Sequence, residues 1–304
     1  MATLQTVDTR AAGTDFPAGK AYFETSTNKF IVWNGEAWIE LHSDGTGEVP
    51  YSNQYSLSFD GSDDYLTMSP VTPTAQQGTI SAWVKTTDTI AFSVFCWGSS
   101  ATSETLNGTF RTDLRIRSGK LSYAYQENHV GSGLSEVNGS SIINDGQWHH
   151  VAVTSNGSAW SLYVDGSPET LTVRSGSNSG NWVGDLYAVS SSLLDFSDIG
   201  MLRRDSSIGN STYFSGSIDE LAVWDSALSA PEIASLIDSS GANPVPANIS
   251  SLNPSAWWRM GDDANDTFVD GGSVSSITDS SGNGNTATQA TAANQPTFST
   301  DVPA

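Results

Sequence analysis

Asp145-Gly-Gln-Trp-His-His-Val-Ala-Val-Thr154 is the stretch on which the fold turns. From Trp148 the residues alternate, with Trp148 and His150 on one face and His149 on the other beside Val151 and Val153. That is a strand with one face buried. Its histidines read as packed or hydrogen-bonded framework groups in preference to metal ligands. Similar runs lie on both sides. Upstream stand Tyr55-Ser-Leu-Ser-Phe-Asp60, Thr79-Ile-Ser-Ala-Trp-Val-Lys85, Phe110-Arg-Thr-Asp-Leu-Arg-Ile-Arg117 and Lys120-Leu-Ser-Tyr-Ala-Tyr125. Downstream stand Ala159-Trp-Ser-Leu-Tyr-Val164 and Phe214-Ser-Gly-Ser-Ile-Asp-Glu-Leu-Ala-Val-Trp224. Turns rich in Gly, Ser and Asn separate them, and Asp60-Gly61 and Asp165-Gly166 mark tight turns at strand ends. Many short strands at close spacing predict an all-β fold, an antiparallel two-sheet jelly-roll sandwich. One helix is predicted from Ser229-Ala-Pro-Glu232, a capping box with proline in the first turn.

Composition narrows the possibilities. The 304 residues carry 12 Lys+Arg against 33 Asp+Glu, a formal charge of -21, yet 37% are hydrophobic and ten are Trp. That is enough apolar material for a core, so a disordered acidic tail is excluded. Such an anionic surface repels phosphate backbones and anionic lipid, which argues against nucleic acid and membrane as partners. It favours divalent cations. The single cysteine, Cys96, has no partner for an intrachain disulfide and lies in an apolar run, so it reads as a packed thiol. Met1-Ala-Thr-Leu-Gln5 shows no basic region leading into an apolar run, and no secretory signal is read there.

Three segments emerge. Residues 1–48 hold Lys20-Ala-Tyr-Phe-Glu-Thr25, Lys29-Phe-Ile-Val-Trp33 and Ala37-Trp-Ile-Glu-Leu41, with Asn34-Gly35 as a hairpin turn. A three-stranded meander follows, too small to stand without a partner surface. Residues 52–239 form the sandwich. Residues 252–304, entered through Pro244, Pro246 and Pro254, have too little apolar content for a core of their own.

The middle segment resembles a laminin-G-like domain of the concanavalin A type. Leu57-Ser-Phe-Asp-Gly-Ser-Asp-Asp-Tyr-Leu66, Gly78-Thr-Ile-Ser-Ala-Trp-Val84, Asp145–Thr154, Leu162-Tyr-Val-Asp-Gly166 and Phe214–Trp224 carry the likeness, and Asp225-Ser-Ala-Leu-Ser-Ala-Pro-Glu-Ile233 closes it. Trp258-Arg-Met-Gly-Asp-Asp-Ala-Asn-Asp266 and Asp279-Ser-Ser-Gly-Asn-Gly-Asn-Thr-Ala-Thr288 resemble the opening of the same family. Here they follow the helix, as in the start of a second unit or a displaced strand completing its own or a neighbour's sandwich, and packing on a neighbouring chain or module is the expected arrangement. Ala21–Ile39 resembles a short module at the ends of bacteriophage virion proteins. Together these resemblances imply a non-enzymatic phage structural protein on the virion surface, decorating a capsid or forming part of a tail fibre. Its partners would be other virion proteins, further copies of itself in a homo-oligomer, and a host-surface glycan. The alternative is a bacterial carbohydrate-binding or adhesion module, and a third reading is a glycoside hydrolase of the same fold.

Related sandwiches hold a structural calcium between an early strand and a late aspartate. That resemblance implies Asp219 as a ligand, with Asp60, Asp63 and Asp64 from the first turn. Asp262-Asp-Ala-Asn-Asp266 has the look of a calcium loop but carries Phe268 where glycine is required. For catalysis, no Glu-x-Asp-x-x-Glu, Gly-x-Ser-x-Gly or His-Glu-x-x-His spacing occurs. Asp219 and Glu220 are adjacent, and strict alternation would point them to opposite faces. Glycan stacking would fall to aromatics near polar loops: Trp97, Trp182, Tyr187 and Tyr213.

Overall fold

The computed structural model describes residues 51–89, 92–98, 110–127, 133–189, 194–202, 212–241 and 243–303, and four earlier strands. The chain divides into two units, residues 1–52 and 53–304. In the first unit Ala21–Glu24, Lys29–Trp33 and Trp38–Leu41 pair antiparallel in sequence. A fourth strand, Gln5–Val7, adds parallel to Ala21–Glu24. The expected three-stranded meander is therefore four-stranded: three residues are too few to show alternation.

The second unit is a sandwich of two large sheets. One has nine strands, in spatial order Thr172–Ser175, Leu134–Asn138, Lys120–Gln126, Arg111–Arg117, Phe92–Gly98, Phe196–Ile199, Leu66–Met68, Ala287–Thr288 and Ser276–Ile277. The other runs Ser167–Pro168, Trp160–Val164, Trp148–Ser155, Gly78–Lys85, Ser215–Trp224, Ser56–Asp60 and Thr297–Ser299, and Ala256–Trp258 also pairs with Ser215–Trp224. Leu57, Ile80, Val84, Val151 and Val153 of the second sheet meet Phe95, Trp97, Leu114, Ile116 and Tyr123 of the first in one buried core. Turn chemistry fixes the hairpins. Ser118-Gly119 and Asp165-Gly166 each place two consecutive residues at positive φ, the type I′ geometry that suits strand twist.

Residues 252–303 complete this chain's own sandwich, which corrects the expectation that this segment packs on a neighbour. Thr297–Ser299 lies antiparallel to Ser56–Asp60, Ala256–Trp258 to Ser215–Trp224, and Thr288 opposite Thr67. Trp258, Met260, Val274, Ile277, Ala287 and Phe298 all join the common core. Sparse apolar residues suffice because each one is spent inside a core built by the rest of the chain. The predicted helix is present as Ala230–Ala234, with the Ser229–Glu232 capping box formed. A second short helix, Val183–Val189, is additional to the one predicted.

Candidate functional site

At the end of strand Ser56–Asp60 the chain reverses through a turn folded by its own carboxylates. Asp60 Oδ1 accepts from the backbone N–H of Ser62 (2.7 Å) and Asp63 (3.3 Å), and Asp64 Oδ2 accepts from that of Asp60 (2.9 Å). Oxygens of Asp60, Asp63 and Asp64 consequently lie within 4.8 Å of one another. Calcium holds its oxygens at about 2.3–2.6 Å, so ligands across it stand about 5 Å apart or less. The three carboxylates fit one such ion. Burial pushes the Asp64 carboxyl up to about 6, and the charges of Asp60 and Asp63 add to the shift. A cation would relieve both causes.

Beside this turn stand two half-buried tyrosines. Tyr65 follows Asp64 directly, and its ring centre lies 6.4 Å from that of Tyr213. Ser215, two residues beyond Tyr213, is opposite Asp60 in the ladder. Acid turn and aromatic pair thus sit at one place on the sandwich.

Asp219 lies elsewhere. It is four residues past Ser215, about 13 Å along the strand at about 3.3 Å per residue, and it does not join the trio. Its neighbours are Asn53, whose Nδ2 donates to Oδ2 at 2.8 Å, and Asp262, whose charge acts on it. Asp262 in turn accepts from the backbone N–H of Gln54 and Tyr55. Asp219 is fully buried, and burial, with the charge of Glu220 next in size, holds its carboxyl well above the usual range. Asn53 Oδ1 is buried without a hydrogen-bond partner. A β-bulge after Asp219, with Glu220 at φ 46°, breaks the alternation assumed for the adjacent acids, and both are buried. Glu220 is already engaged: Trp257 Nε1 (2.5 Å) and Arg259 Nε (3.3 Å) donate to its two oxygens.

Of the four aromatics named for glycan stacking, Tyr213 is placed to serve. Trp97 and Trp182 have no exposed surface, which removes them: a ring packed on both faces has none left for a sugar. Trp97 donates to the carbonyl of Val71 at 2.7 Å, and Trp182 stacks on Tyr123 at 5.2 Å. Tyr187 is partly buried against the core from the second helix. Tyr65 and Asn53 carry no local signal in the sequence, and Asp262, weighed there only as part of a calcium loop, stands instead beside Asp219. Sequence reasoning missed Asp225, which is shared by two polar clefts of about 620 and 340 Å³. Thr72, Gln76 and Asn156 line the first, and Asn253, Ser281 and Asn283 the second. His150 is buried with Nε2 2.8 Å from Ser81 Oγ, a framework position.

Residues 60–234, more than half of the chain, match the sequence profile of the concanavalin A-like lectin/glucanases superfamily. The chain belongs to that family. Two curated relatives are similar over 212 residues: the Sushi, von Willebrand factor type A, EGF and pentraxin domain-containing protein 1 of Rattus norvegicus (27% identical) and of Mus musculus (26%). The matched region covers 69% of this chain and 5% of each relative's length. Among solved structures, a candidate carbohydrate-binding protein from Bacteroides ovatus superposes with a TM-score of 0.52 at 16% identity. That likeness covers 95% of this chain and 71% of the Bacteroides chain, and it shows the shared fold.

Proposed function

We propose that the sandwich is a non-catalytic glycan-binding module that uses calcium. The observation that carries this is the conjunction of Asp60, Asp63 and Asp64, with oxygens within 4.8 Å, and the half-buried Tyr65–Tyr213 pair beside them. A calcium held there would take sugar hydroxyls into its remaining coordination positions, while a tyrosine face packs on the pyranose ring. The family, whose name joins lectins with glucanases, and the Bacteroides protein support a carbohydrate ligand. A binding role is favoured over hydrolysis because Glu220 is tied to Trp257 and Arg259 and Asp219 is fully buried, leaving neither positioned to reach a glycosidic bond. The test is a glycan array probed with calcium and with EDTA, alongside Asp63→Asn and Tyr213→Ala. Hits that vanish with EDTA and in both variants are expected; hits indifferent to calcium would remove the cation from the reading.

The first unit favours a second, compatible setting. The stretch that resembles a virion-terminal module supplies strands Ala21–Glu24 and Lys29–Trp33 to a four-stranded sheet with Gln5–Val7 and Trp38–Leu41, and would tether the sandwich to a phage particle. Mass spectrometry of purified particles tests this, and absence of the chain from them would end it.

A further inference from the structure

The outward face of the nine-stranded sheet carries charge of the opposite sign to the rest of the chain. Along Arg111–Arg117 the even positions Leu114 and Ile116 enter the core, so Arg111, Asp113, Arg115 and Arg117 share the other face. The ladder places Lys120 opposite Arg117 and Ser122 opposite Arg115 on that same face. Glu136 joins from the next strand, accepting from Ser122 Oγ at 3.1 Å, and Arg174 reaches it from the edge strand at 2.8 Å. Five of the chain's 12 cationic residues therefore share this face with three buried carboxylates, Asp113, Glu136 and Asp198, the last placed opposite Cys96 just as Asp113 is, on a protein of charge -21.

Asp113 and Glu136 are already used. Asp113 is held by Arg111 (3.0 Å) and Arg115 (2.6 Å), and both Asp113 and Glu136 have no exposed surface. Among the described residues, the carboxylate that Arg117 pairs with is Glu136, at a long 3.5 Å. Burial lowers its pKa, the charge of Glu136 opposes that, and the positive charges of Arg115 and Arg174 lower it again. Lys120 pairs with no carboxylate among the described residues. Ser93 Oγ, on the strand opposite Arg115, is buried without a hydrogen-bond partner. Arg117 and Arg174 keep 28% and 42% of their side-chain surface, so the rim is reachable while its floor is fixed. A rigid floor of salt-bridged groups with surplus cations at its margin is suited to a carboxylate or sulfate, which a guanidinium grips by two parallel hydrogen bonds.

We propose that Arg117, Lys120 and Arg174 form a second saccharide site, selective for glycans bearing carboxylate or sulfate groups. The strands of Arg174, Lys120 and Arg117 lie six, four and three spacings from Leu66–Met68, about 29, 19 and 14 Å at about 4.8 Å each, so this site is separate from the acid turn. The inference rests on the glycan-binding reading for its ligand class and not for its residues. Elsewhere the acidic surface repels such a ligand, which directs it to this face.

The test is calorimetric titration of the whole chain with matched pairs: oligogalacturonate against its methyl ester, and sulfated against unsulfated galactan oligosaccharide. At least one acidic member should bind about tenfold or more tighter than its neutral match and weaken as salt rises, and the pair that responds names the anion. Arg174→Gln and Lys120→Gln should each weaken it severalfold, and about tenfold or more together, without shifting the calcium-dependent array hits. Arg174→Gln removes one support of a buried carboxylate; if it unfolds the chain, Lys120→Gln alone decides. Acidic and neutral members bound equally, or Lys120→Gln without effect, overturn the second site and leave the glycan-binding reading standing. No binding to any glycan in either experiment overturns both.

Discussion

Trp258→Ala tests whether the last fifty residues are part of the sandwich or an ornament on it. Trp258 has no exposed surface, its ring lies 5.9 Å from that of Phe95 across the two sheets, and its Nε1 donates to the carbonyl of Asn285 at 2.8 Å. Emptying such a site costs about 3–5 kcal/mol, and the abandoned carbonyl adds about 1 kcal/mol. In a domain of this size each kcal/mol moves Tm by about 2–4 °C, so for the combined loss of about 4–6 kcal/mol a fall of about 8–24 °C is expected in differential scanning calorimetry. Removing residues 253–303 deletes Trp258, Met260, Val274, Ile277 and Phe298 from the core together. At about 1.5–3 kcal/mol for each buried side chain the loss is about 7–15 kcal/mol, comparable to the whole stability of a domain. The shortened chain should show no cooperative melt and a collapsed near-UV dichroism spectrum. A truncated chain that melts cooperatively near the parent temperature would refute the argument and return these residues to the role of a docked tail.

Other consequences are open to measurement. Because the Asp64 carboxyl is raised to about 6 in the fold, its contribution is complete below about pH 3.8 and is lost as pH rises through 6. Asp64→Asn should flatten that decline between pH 4 and 7, and saturating calcium should flatten it in the parent chain. His149 sits between Asp165 (2.9 Å) and Asp145 (3.2 Å), and its hydrogen bond to Asp165 chiefly raises its pKa. Its contribution is full below about pH 6.5 and disappears as pH rises through the folded value, so His149→Gln should remove a loss of Tm on that side of neutrality. His150 behaves oppositely. Burial lowers it to about 4, so its contribution holds above about pH 6.5 and is lost as pH falls through 4; His150→Gln should blunt acid unfolding, seen in melts from pH 3 to 7. Asp301→Ala removes the acceptor for Lys85 and Trp148 at an exposed position and should cost no more than about 1 kcal/mol in denaturant titration.

The sandwich was legible because its strands alternate: Leu57 and Phe59, Ile80 and Val84, Val151 and Val153 all enter the core as their spacing requires. The acid turn was legible too, since Asp60, Asp63 and Asp64 are neighbours in sequence. What escaped was anything fixed by distant pairing. The resemblance to related sandwiches joined Asp219 to the turn, and nothing local in the sequence reports that register sets it four residues beyond Asp60's partner. The bulge at Glu220 leaves no mark in a run of good strand formers. Trp182 stands in a polar stretch and is buried because a short helix after it turns the ring onto Trp97 and Tyr123. The arginine face is present as Arg-x-Asp-x-Arg-x-Arg in residues 111–117, a polar row with period two, but nothing local reports that Glu136 and Arg174 join it from strands further along the chain.

The pairing of Thr297–Ser299 with Ser56–Asp60 has a mechanical meaning. Ser56, where the chain enters the sandwich, is opposite Ser299, where it leaves, and Ser56 Oγ donates to the carbonyl of Asp301 at 2.7 Å. Tension applied through the two ends would reach the edge pair at a single point and open it one hydrogen bond at a time, as a zipper yields, without loading all of them in shear. The same closeness lets the sandwich be spliced into a surface loop of another protein with little separation of the loop's ends, so a host could carry it as a graft.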